Sequence, residues 1–267
     1  MTPSSLPIVL TIAGSDSGGG AGIQADLKTF HAFGTFGTTV VTAITAQNTT
    51  GVSAVHPVPL EVVRAQIDAL VEDLPPVAVK SGMLATAPLV ALVAESMRTL
   101  DLPDYVLDPV MVAGSGDRLL ERDAEASVAR ELVPVATLVT PNLHEAEILV
   151  GRSVATIEEM GEAARALVEM GAKAALVKGG HGKGDEVVDL FWDGQKERTW
   201  KRPRIHTRNT HGTGCTLSAG IAAGLGRGWA LQDAVDRALG FVAEAIRTAP
   251  ALGRGQGPLN HLLDPGE

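Results

Sequence analysis

A glycine turn near the end of the chain carries residue types that phosphate chemistry uses. The segment 209–216, NTHGTGCT, is small, polar and glycine-rich, and it passes directly into the small apolar segment 217–225. Such a turn before a helix leaves backbone N–H groups unpaired at the positive end of the helix, where anions bind. The only thiol of the chain, Cys215, lies at the mouth of this turn. The pattern predicts a site for a phosphate or for a phosphoryl group in transfer.

The composition indicates a soluble protein and excludes several classes of partner. The chain has 267 residues, 45% of them hydrophobic. A net charge of −9 and a pI near 5.3 argue against binding to nucleic acid or to an anionic membrane, because both need a basic surface. A single cysteine excludes an internal disulfide and an all-cysteine metal cage. We see no signal peptide and no apolar run of about 20 residues, so we expect a cytoplasmic protein that does not span a membrane.

Strand-like and helix-like segments alternate along the sequence. Buried strands are predicted at 8–13, 38–44, 77–80, 105–108, 137–140 and 174–178. Helices are predicted at 21–33, from 59 onward, at 87–100, through 128–132, and at 143–150, 157–170 and 231–247. A hairpin is predicted from strands at 187–191 and 197–201. This order indicates one α/β domain over 1–267, with a mostly parallel sheet that helices cover on both faces.

Polar and glycine-rich residues cluster at the carboxyl ends of the predicted strands, where ligands bind in such sheets. These strand-end groups are Gly14–Gly22, Gln47-Asn48, Ser81–Met83, Asp108, Asn142 and Lys178–Gly180. Each group alone is typical of a turn. Their joint occurrence at successive strand ends indicates one shared site along one edge of the sheet.

Two common nucleotide motifs do not account for this pattern. The sequence has no G-x-x-x-x-G-K-[ST] motif, which excludes a P-loop enzyme. Residues 20–25 match the G-x-G-x-x-A form of a dinucleotide fingerprint. However, no acidic residue occurs between Asp26 and Glu61, so the carboxylate that would bind the ribose is missing.

The run IAGSDSGGGAGIQADLKT at 12–29 resembles the N-terminal signature of bacterial hydroxymethylpyrimidine/phosphomethylpyrimidine kinases, which are thiamin-pathway members of the ribokinase superfamily. The resemblance continues through AQNT at 46–49, KSGML at 80–84, VLDPVM at 106–111, TPN at 140–142, VKGGH at 177–181 and the glycine turn. It implies a three-layer αβα ribokinase-like fold and a homodimer. It also implies ATP-dependent phosphorylation of 4-amino-5-hydroxymethyl-2-methylpyrimidine, a pyrimidine alcohol, and then of its monophosphate to the diphosphate.

The resemblance also implies which residues bind the pyrimidine. These are Gly14, Asp16, Ala21, Asp26, Gln47, Met83 and Val110. Physical reasoning agrees best for Gln47, because its amide offers a donor and an acceptor side by side, as an aminopyrimidine requires. Met83 and Val110 could equally belong to the core, and Asp26 could simply place charge in the first turns of its helix.

The nucleotide side is expected at neighbouring strand ends. Lys178, Asn142 and Thr210 are the candidate ATP contacts, with Lys178 acting as a point charge against phosphate. Asp108 and Glu145 are the candidate neighbours of Mg²⁺, which keeps several waters and uses few carboxylates. Lys178 could also be an ordinary strand-end lysine, and Glu145 a solvated helix residue.

The predicted catalytic residues are Gly212, Thr213, Gly214 and Cys215 in the glycine turn. Many ribokinase relatives carry an aspartate base where this chain, like the pyrimidine kinases, has Cys215. A thiol pKa begins near 8.5 and a helix N-terminus lowers it, so a thiolate base is expected. Positioning and charge stabilisation can also supply most of the catalysis of phosphoryl transfer, and Cys215 could then serve only to pack the start of the helix.

Two other functions remain open from the sequence. A pyridoxal or pyridoxine kinase of the same superfamily also acts on a small heteroaromatic alcohol. A non-catalytic ligand-binding homologue is the more distant alternative, and the intact glycine turn with Asp108 and Lys178 argues against it.

Overall fold

The structure, a computed structural model, describes residues 6–100, 102–111, 122–180 and 184–265. Within these residues, nine strands form one sheet in the order β3-β2-β1-β4-β5-β6-β7-β8-β9. The strands are β1 (Ile8–Asp16), β2 (Phe36–Asn48), β3 (Gly51–Pro57), β4 (Ala78–Ser81), β5 (Tyr105–Leu107), β6 (Leu138–Val139), β7 (Ala175–Lys178), β8 (Glu186–Trp192) and β9 (Glu197–Pro203). Six neighbouring strands of this order pair in parallel, namely β2, β1, β4, β5, β6 and β7. The outer strands β3, β8 and β9 pair antiparallel with their neighbours.

Helices cover both faces of this sheet, so the predicted α/β class with a mostly parallel sheet is confirmed. The helices are α1 (Gly22–Ala32), α2 (Leu60–Asp73), α3 (Ala87–Thr99), α4 (Arg122–Ser127), α5 (Leu143–Val150), α6 (Ile157–Glu169), α7 (Thr213–Gly226) and α8 (Leu231–Arg247). Helix α4 continues into a π-helical turn at Val128–Leu132 and a 3-10 turn at Val133–Val135. One apolar core lies under α2 to α6, and a second lies under α1, α7 and α8.

Alternation along each strand decides which core a side chain enters. In β1, Leu10 and Ile12 pack with the α2–α6 layer, whereas Val9 packs with α1, α7 and α8. Because successive side chains point to opposite faces, Thr11 shares the face of Val9. The same alternation in β4 places Lys80 with Ala78, on the face of α7.

One strand was missing from the sequence prediction. β2 runs to Asn48 and turns into β3, which pairs antiparallel with it and forms one edge of the sheet. Most residues of β3 are exposed, so this strand lacks the apolar pattern that reveals a strand in sequence. The predicted hairpin at β8 and β9 is confirmed, with slightly longer strands.

The C-terminal tail after α8 is ordered coil that ties distant parts of the site together. The Gln256 N–H donates to the Thr49 carbonyl oxygen at 2.8 Å, beside the β2–β3 turn. The His211 N–H donates to the Gly257 carbonyl oxygen at 3.1 Å. The tail therefore connects the β2–β3 hairpin to the glycine turn. In the described part of the chain, no helix combines the length and hydropathy that crossing a bilayer requires.

The tail also supplies a buried histidine whose titration should destabilise the fold in acid. Nε2 of His261 lies 2.9 Å from Oγ1 of Thr216, and burial lowers the pKa of His261 to about 4. The unfolded chain takes up this proton near pH 6.5, so the contribution of His261 is complete above that pH and is lost as the pH falls toward 4.

We therefore expect His261→Gln to lose less stability than the wild type between pH 6.5 and 4, by about 2–3 kcal/mol. Urea unfolding at a series of pH values measures this difference. His31→Gln removes an imidazole from the surface and serves as the matched control. Parallel pH profiles for His261→Gln and the wild type would contradict the assignment.

Candidate active site

Helix α7 begins at the glycine turn with free backbone donors. Its N-cap, Gly212, has a φ of 85°, and a Cβ there would collide with the carbonyl oxygen of Gly20. Only glycine adopts a positive φ without strain and also has no Cβ to clash with Gly20. Within the described residues, no hydrogen bond uses the N–H groups of Gly214 and Cys215. The helix N-terminus predicted from the sequence is therefore present, and it presents unpaired donors of the kind that bind anions.

The β1–α1 loop is organised around the buried carboxylate of Asp16. This carboxylate accepts N–H hydrogen bonds from Gly18 at 2.8 Å, Gly20 at 3.0 Å and Ala21 at 2.9 Å, and lies 2.8 Å from Nε2 of His211. Burial alone would raise the pKa of Asp16. The hydrogen bonds from His211 and the loop amides outweigh burial and lower it. Asp16 is thus an ionised anchor that joins this loop to the glycine turn.

Gln47 lies at the end of β2, next to the same histidine. Its Nε2 is 3.4 Å from Nε2 of His211, and its Oε1 is 3.1 Å from Oγ1 of Thr45. The structure therefore brings Gln47, Asp16 and Ala21 close together, and their role in binding the pyrimidine stays a prediction. It adds His211, which the sequence reasoning missed as a site residue. The only signal was its position inside the glycine turn, and its contacts come from segments far away in sequence.

An apolar wall borders this polar group. Met83 and Val110 pack with Ala43 and Ala85 in a small cluster separate from the two main cores. A Cβ on Gly14 would lie 3.1 Å from Sδ of Met83, so Gly14 lets the methionine approach the backbone. Three of the predicted pyrimidine contacts, Gly14, Met83 and Val110, are thus neighbours.

The charged side of the site lies at the ends of β5 and β7. Nζ of Lys178 is 3.0 Å from Oδ1 of Asp108 and 4.0 Å from Oε2 of Glu145. Glu145 forms a reciprocal capping box with Asn142 at the start of α5. Burial is the largest influence on Glu145 and raises its pKa to about 7. A Cβ on Gly214 would lie 3.2 Å from Nζ of Lys178, so this cluster sits directly against the start of α7.

Thr210 lies at the outer rim of the same turn. Its side chain is exposed, and its carbonyl oxygen accepts a hydrogen bond from Oγ1 of Thr213 at 2.7 Å. The two threonines thus fix the backbone just before the anion-binding amides.

A buried ion pair lies under the glycine turn. Thr11 and Lys80 are register partners on β1 and β4, and both face α1. Nζ of Lys80 lies 2.9 Å from Oδ2 of Asp26, and Oγ1 of Thr11 donates to the same oxygen at 2.6 Å. Burial is the largest single influence on the pKa of Lys80 and lowers it. The charges of Asp26, Cys215 and Asp108 and the hydrogen bond to Asp26 together outweigh burial and raise the pKa. Lys80 was not among the predicted site residues.

Two expectations from the sequence need correction. Asp26 is fully buried and its carboxylate is held by Lys80 and Thr11, so it does not line an open pyrimidine pocket as predicted. The thiol pKa of Cys215 was expected to fall at the helix N-terminus. Burial instead raises it to about 11, and the opposing influence of Lys80 is smaller. Cys215 is nevertheless partly accessible to solvent.

The carboxylates fit a nucleotide-bound Mg²⁺ better than a resident metal ion. In the described segments, no group of three or more His, Cys, Asp and Glu side chains could hold a metal. Asp108 and Glu145 nevertheless place two carboxylates beside one ammonium group. Mg²⁺ takes one or two protein carboxylates and fills its remaining positions with water and phosphate oxygens. This donor set therefore suits Mg²⁺ that arrives with a nucleotide.

Comparison with known proteins gives one consistent family. The family described as phosphomethylpyrimidine kinase matches residues 16–260 of this chain. The hydroxymethylpyrimidine/phosphomethylpyrimidine kinase of Rhizobium meliloti is 54% identical over 258 residues, covering 96% of this chain and 97% of that protein.

Solved structures agree on the fold. The pyridoxal kinase of Bacillus subtilis in complex with ADP has a TM-score of 0.90 and 36% identity, covering 96% of this chain and 98% of that one. The phosphomethylpyrimidine kinase from Clostridium difficile has a TM-score of 0.81 and 39% identity, covering 90% of this chain and 99% of that one. These similarities confirm the ribokinase-like fold.

The buried ion pair gives a stability prediction. Lys80→Met leaves the carboxylate of Asp26 buried without its counter-ion, so we expect a loss of about 3–5 kcal/mol of unfolding free energy. The double variant Lys80→Met/Asp26→Leu should recover most of this loss, because it removes both charges. Urea unfolding at neutral pH measures each variant.

The exposed pair Arg64–Glu95 serves as the matched control. Arg64→Met should cost less than about 1 kcal/mol. If Lys80→Met cost no more than Arg64→Met, the buried pair would not be an important constraint on the fold.

Proposed function

Because the chain belongs to the phosphomethylpyrimidine kinase family, we propose that it transfers the γ-phosphoryl group of ATP to the hydroxyl of 4-amino-5-hydroxymethyl-2-methylpyrimidine, and then phosphorylates the resulting monophosphate to the diphosphate. This is a kinase activity of thiamin biosynthesis. One observation carries the proposal: Asp16 and His211 join the side chain suited to an aminopyrimidine, Gln47, to the glycine turn that begins α7.

The pyrimidine binds between the polar group at Gln47 and the apolar wall at Met83 and Val110. The amide of Gln47 pairs with the ring nitrogen and the exocyclic amine, since it offers a donor and an acceptor together. Gly14 and Ala21 contribute backbone close to the ring. Asp16 acts on the ligand indirectly, by holding the β1–α1 loop.

ATP binds at the ends of β5 and β7, against the start of α7. Lys178 neutralises phosphate charge, while Asn142 and Thr210 lie along the nucleotide side. Asp108 and Glu145 would hold Mg²⁺, which takes few protein carboxylates. When bound, Mg²⁺ neutralises the charge that develops on the phosphates.

The glycine turn performs the transfer. The N–H groups of Gly214 and Cys215 stabilise the charge on the phosphoryl oxygens, with Gly212 and Thr213 fixing their direction. The substrate oxygen forms its bond to the γ-phosphorus as the bond from phosphorus to the ADP oxygen breaks. The hydroxyl proton passes to the thiolate form of Cys215. Because the thiol pKa is raised, this form is a small fraction at neutral pH.

A pyridoxal-type activity is the second candidate, supported by the resemblance to the Bacillus subtilis pyridoxal kinase. The single domain over 1–267, the homodimer and the cytoplasmic location stay predictions. Sedimentation analysis of the purified chain tests the dimer.

The reaction itself is the first test. We expect phosphorus NMR to show ADP and the pyrimidine monophosphate, followed by the diphosphate, when the protein is mixed with ATP, Mg²⁺ and the pyrimidine alcohol. Pyridoxine serves as the parallel substrate and should react more slowly. Faster reaction of pyridoxine would favour the second candidate, and no ADP with either alcohol would favour the non-catalytic homologue.

The base is tested at Cys215. Cys215→Ala should lower kcat by about 100-fold or more, while KM for the pyrimidine changes little, because the thiolate acts only in the transition state. With a raised thiol pKa, kcat/KM of the wild type should rise about tenfold per pH unit between roughly pH 7.5 and 9.5, and the alanine variant should lose this slope. An unchanged kcat in Cys215→Ala would remove the base assignment.

A further inference from the structure

Lys178 is the last residue of β7, and the chain leaves the sheet directly after it. The Lys178 N–H donates to the Pro141 carbonyl oxygen at 2.8 Å, just beyond β6. On the other side, Lys178 is the register partner of Asp189 on β8. Neighbouring strands therefore hold the backbone of Lys178 from both sides. The direction of the peptide bond that follows, from Lys178 to Gly179, needs a further contact.

The carboxylate of Asp189 supplies that contact. The Gly179 N–H donates to Oδ1 of Asp189 at 3.0 Å. The atoms of a peptide bond lie in one plane, so a fixed Gly179 N–H also fixes the carbonyl group of Lys178. A Cβ on Gly179 would collide with the Val188 carbonyl oxygen, so the backbone there lies directly against β8. A side-chain acceptor thus sets the backbone direction at the end of β7.

Arg202 on β9 balances the charge of this carboxylate. Only 5% of the Asp189 side chain is exposed, and an isolated charge would be costly there. Nη2 of Arg202 pairs with Oδ2 of Asp189, the oxygen that Gly179 does not use. Burial raises the pKa of Asp189, and the charge of Arg202 is the largest influence that opposes the rise. One carboxylate oxygen therefore holds the backbone, and the other is held by the guanidinium group.

The backbone of Lys178 is the starting point of a long side chain that ends in the charged cluster. Nζ of Lys178 lies 3.0 Å from Oδ1 of Asp108 and 4.0 Å from Oε2 of Glu145. A Cβ on Gly214 would lie 3.2 Å from the same nitrogen. Because a lysine ammonium group sits on a flexible four-carbon stem, its place depends on where the backbone directs that stem.

We propose that Asp189 is a positioning residue for ATP: it holds the peptide bond after Lys178, with Arg202 balancing its charge, and so keeps the Lys178 ammonium group at the phosphates. The inference rests on the proposed function, because it takes Lys178 to bind phosphate. In this role Asp189 acts through Lys178 rather than on the nucleotide itself. Its loss should therefore weaken ATP binding and leave pyrimidine binding unchanged.

The test compares two double variants that differ in one hydrogen-bond acceptor. Asp189→Leu/Arg202→Leu removes the acceptor and leaves no buried charge behind, so this form should fold. Asp189→Asn/Arg202→Leu has nearly the same side-chain shape but keeps an oxygen that can accept from Gly179. Isothermal titration with ATP and Mg²⁺, without the pyrimidine alcohol, gives the dissociation constants. We expect the first form to bind ATP on the order of tenfold more weakly than the second.

A cycle with Lys178 shows whether Asp189 acts through it. When Lys178→Met is added to both double variants, their ATP dissociation constants should agree within about twofold, because the group that Asp189 positions is gone. The dissociation constant of the pyrimidine alcohol, measured without ATP, should differ by less than about twofold between the two forms. A merely structural role would weaken the binding of both ligands.

The ion pair Arg165–Glu197 provides the matched control, because it joins the other end of the β8–β9 hairpin to α6. Arg165→Leu/Glu197→Leu should keep the ATP dissociation constant within about twofold of the wild type. Equal ATP binding by the two Asp189 forms would overturn the inference. So would a difference that persists undiminished with Lys178→Met, an equal loss of pyrimidine binding, or an equal loss of ATP binding in the control variant.

The wild type and the single variant Lys178→Met separate this inference from the proposed function. If the wild type does not bind ATP, or if Lys178→Met binds it as tightly as the wild type, the proposed phosphate contact fails and the inference fails with it. If Lys178→Met weakens ATP binding but the two Asp189 forms bind ATP equally, only the inference is overturned.

Discussion

The site depends on the N-terminus of α7 resting on the carboxyl ends of the strands. The lysines nearby provide no surplus of positive charge, because Lys80 is paired with Asp26 and Lys178 with Asp108. In a chain of net charge −9, the backbone N–H groups at the start of α7 are the positive ends that no carboxylate already offsets, and such groups favour an anion. This explains why the turn is built of glycines, which allow the backbone itself to approach the ligand.

Much of the site follows from rules that can be read from the sequence. Ligands bind at the carboxyl ends of parallel strands, and this rule placed Gln47, Asp108 and Lys178 on one edge. The alternation of side chains along each strand would have identified a further buried residue near the site. Lys80, Asp108 and Lys178 each come two residues after a small or aliphatic residue of the α7 core, namely Ala78, Val106 and Leu176. This shared spacing assigns all three to the face of α7, and it could have identified Lys80.

Other features could not be predicted from the sequence, because they depend on contacts between residues far apart in the chain. Strand β3 is exposed and pairs only because β2 precedes it. The partners of His211 lie 195 and 164 residues away, at Asp16 and Gln47. The rise in the thiol pKa of Cys215 depends on how deeply the thiol is enclosed, and a single sequence does not give enclosure. The rule that a helix N-terminus lowers a thiol pKa predicted the wrong direction for Cys215, because burial has the larger effect.

The glycine turn joins recognition and chemistry within five residues of sequence. His211 lies 3.4 Å from the Gln47 amide, and Cys215 lies in the first turn of α7. Gly212 separates them and lies against the backbone of Gly20. In the proposed function, the same turn therefore places both the alcohol held at Gln47 and the phosphoryl group held at the helix N-terminus. Specificity in this arrangement therefore acts on the position of the reacting oxygen as well as on affinity, as expected where catalysis relies on positioning.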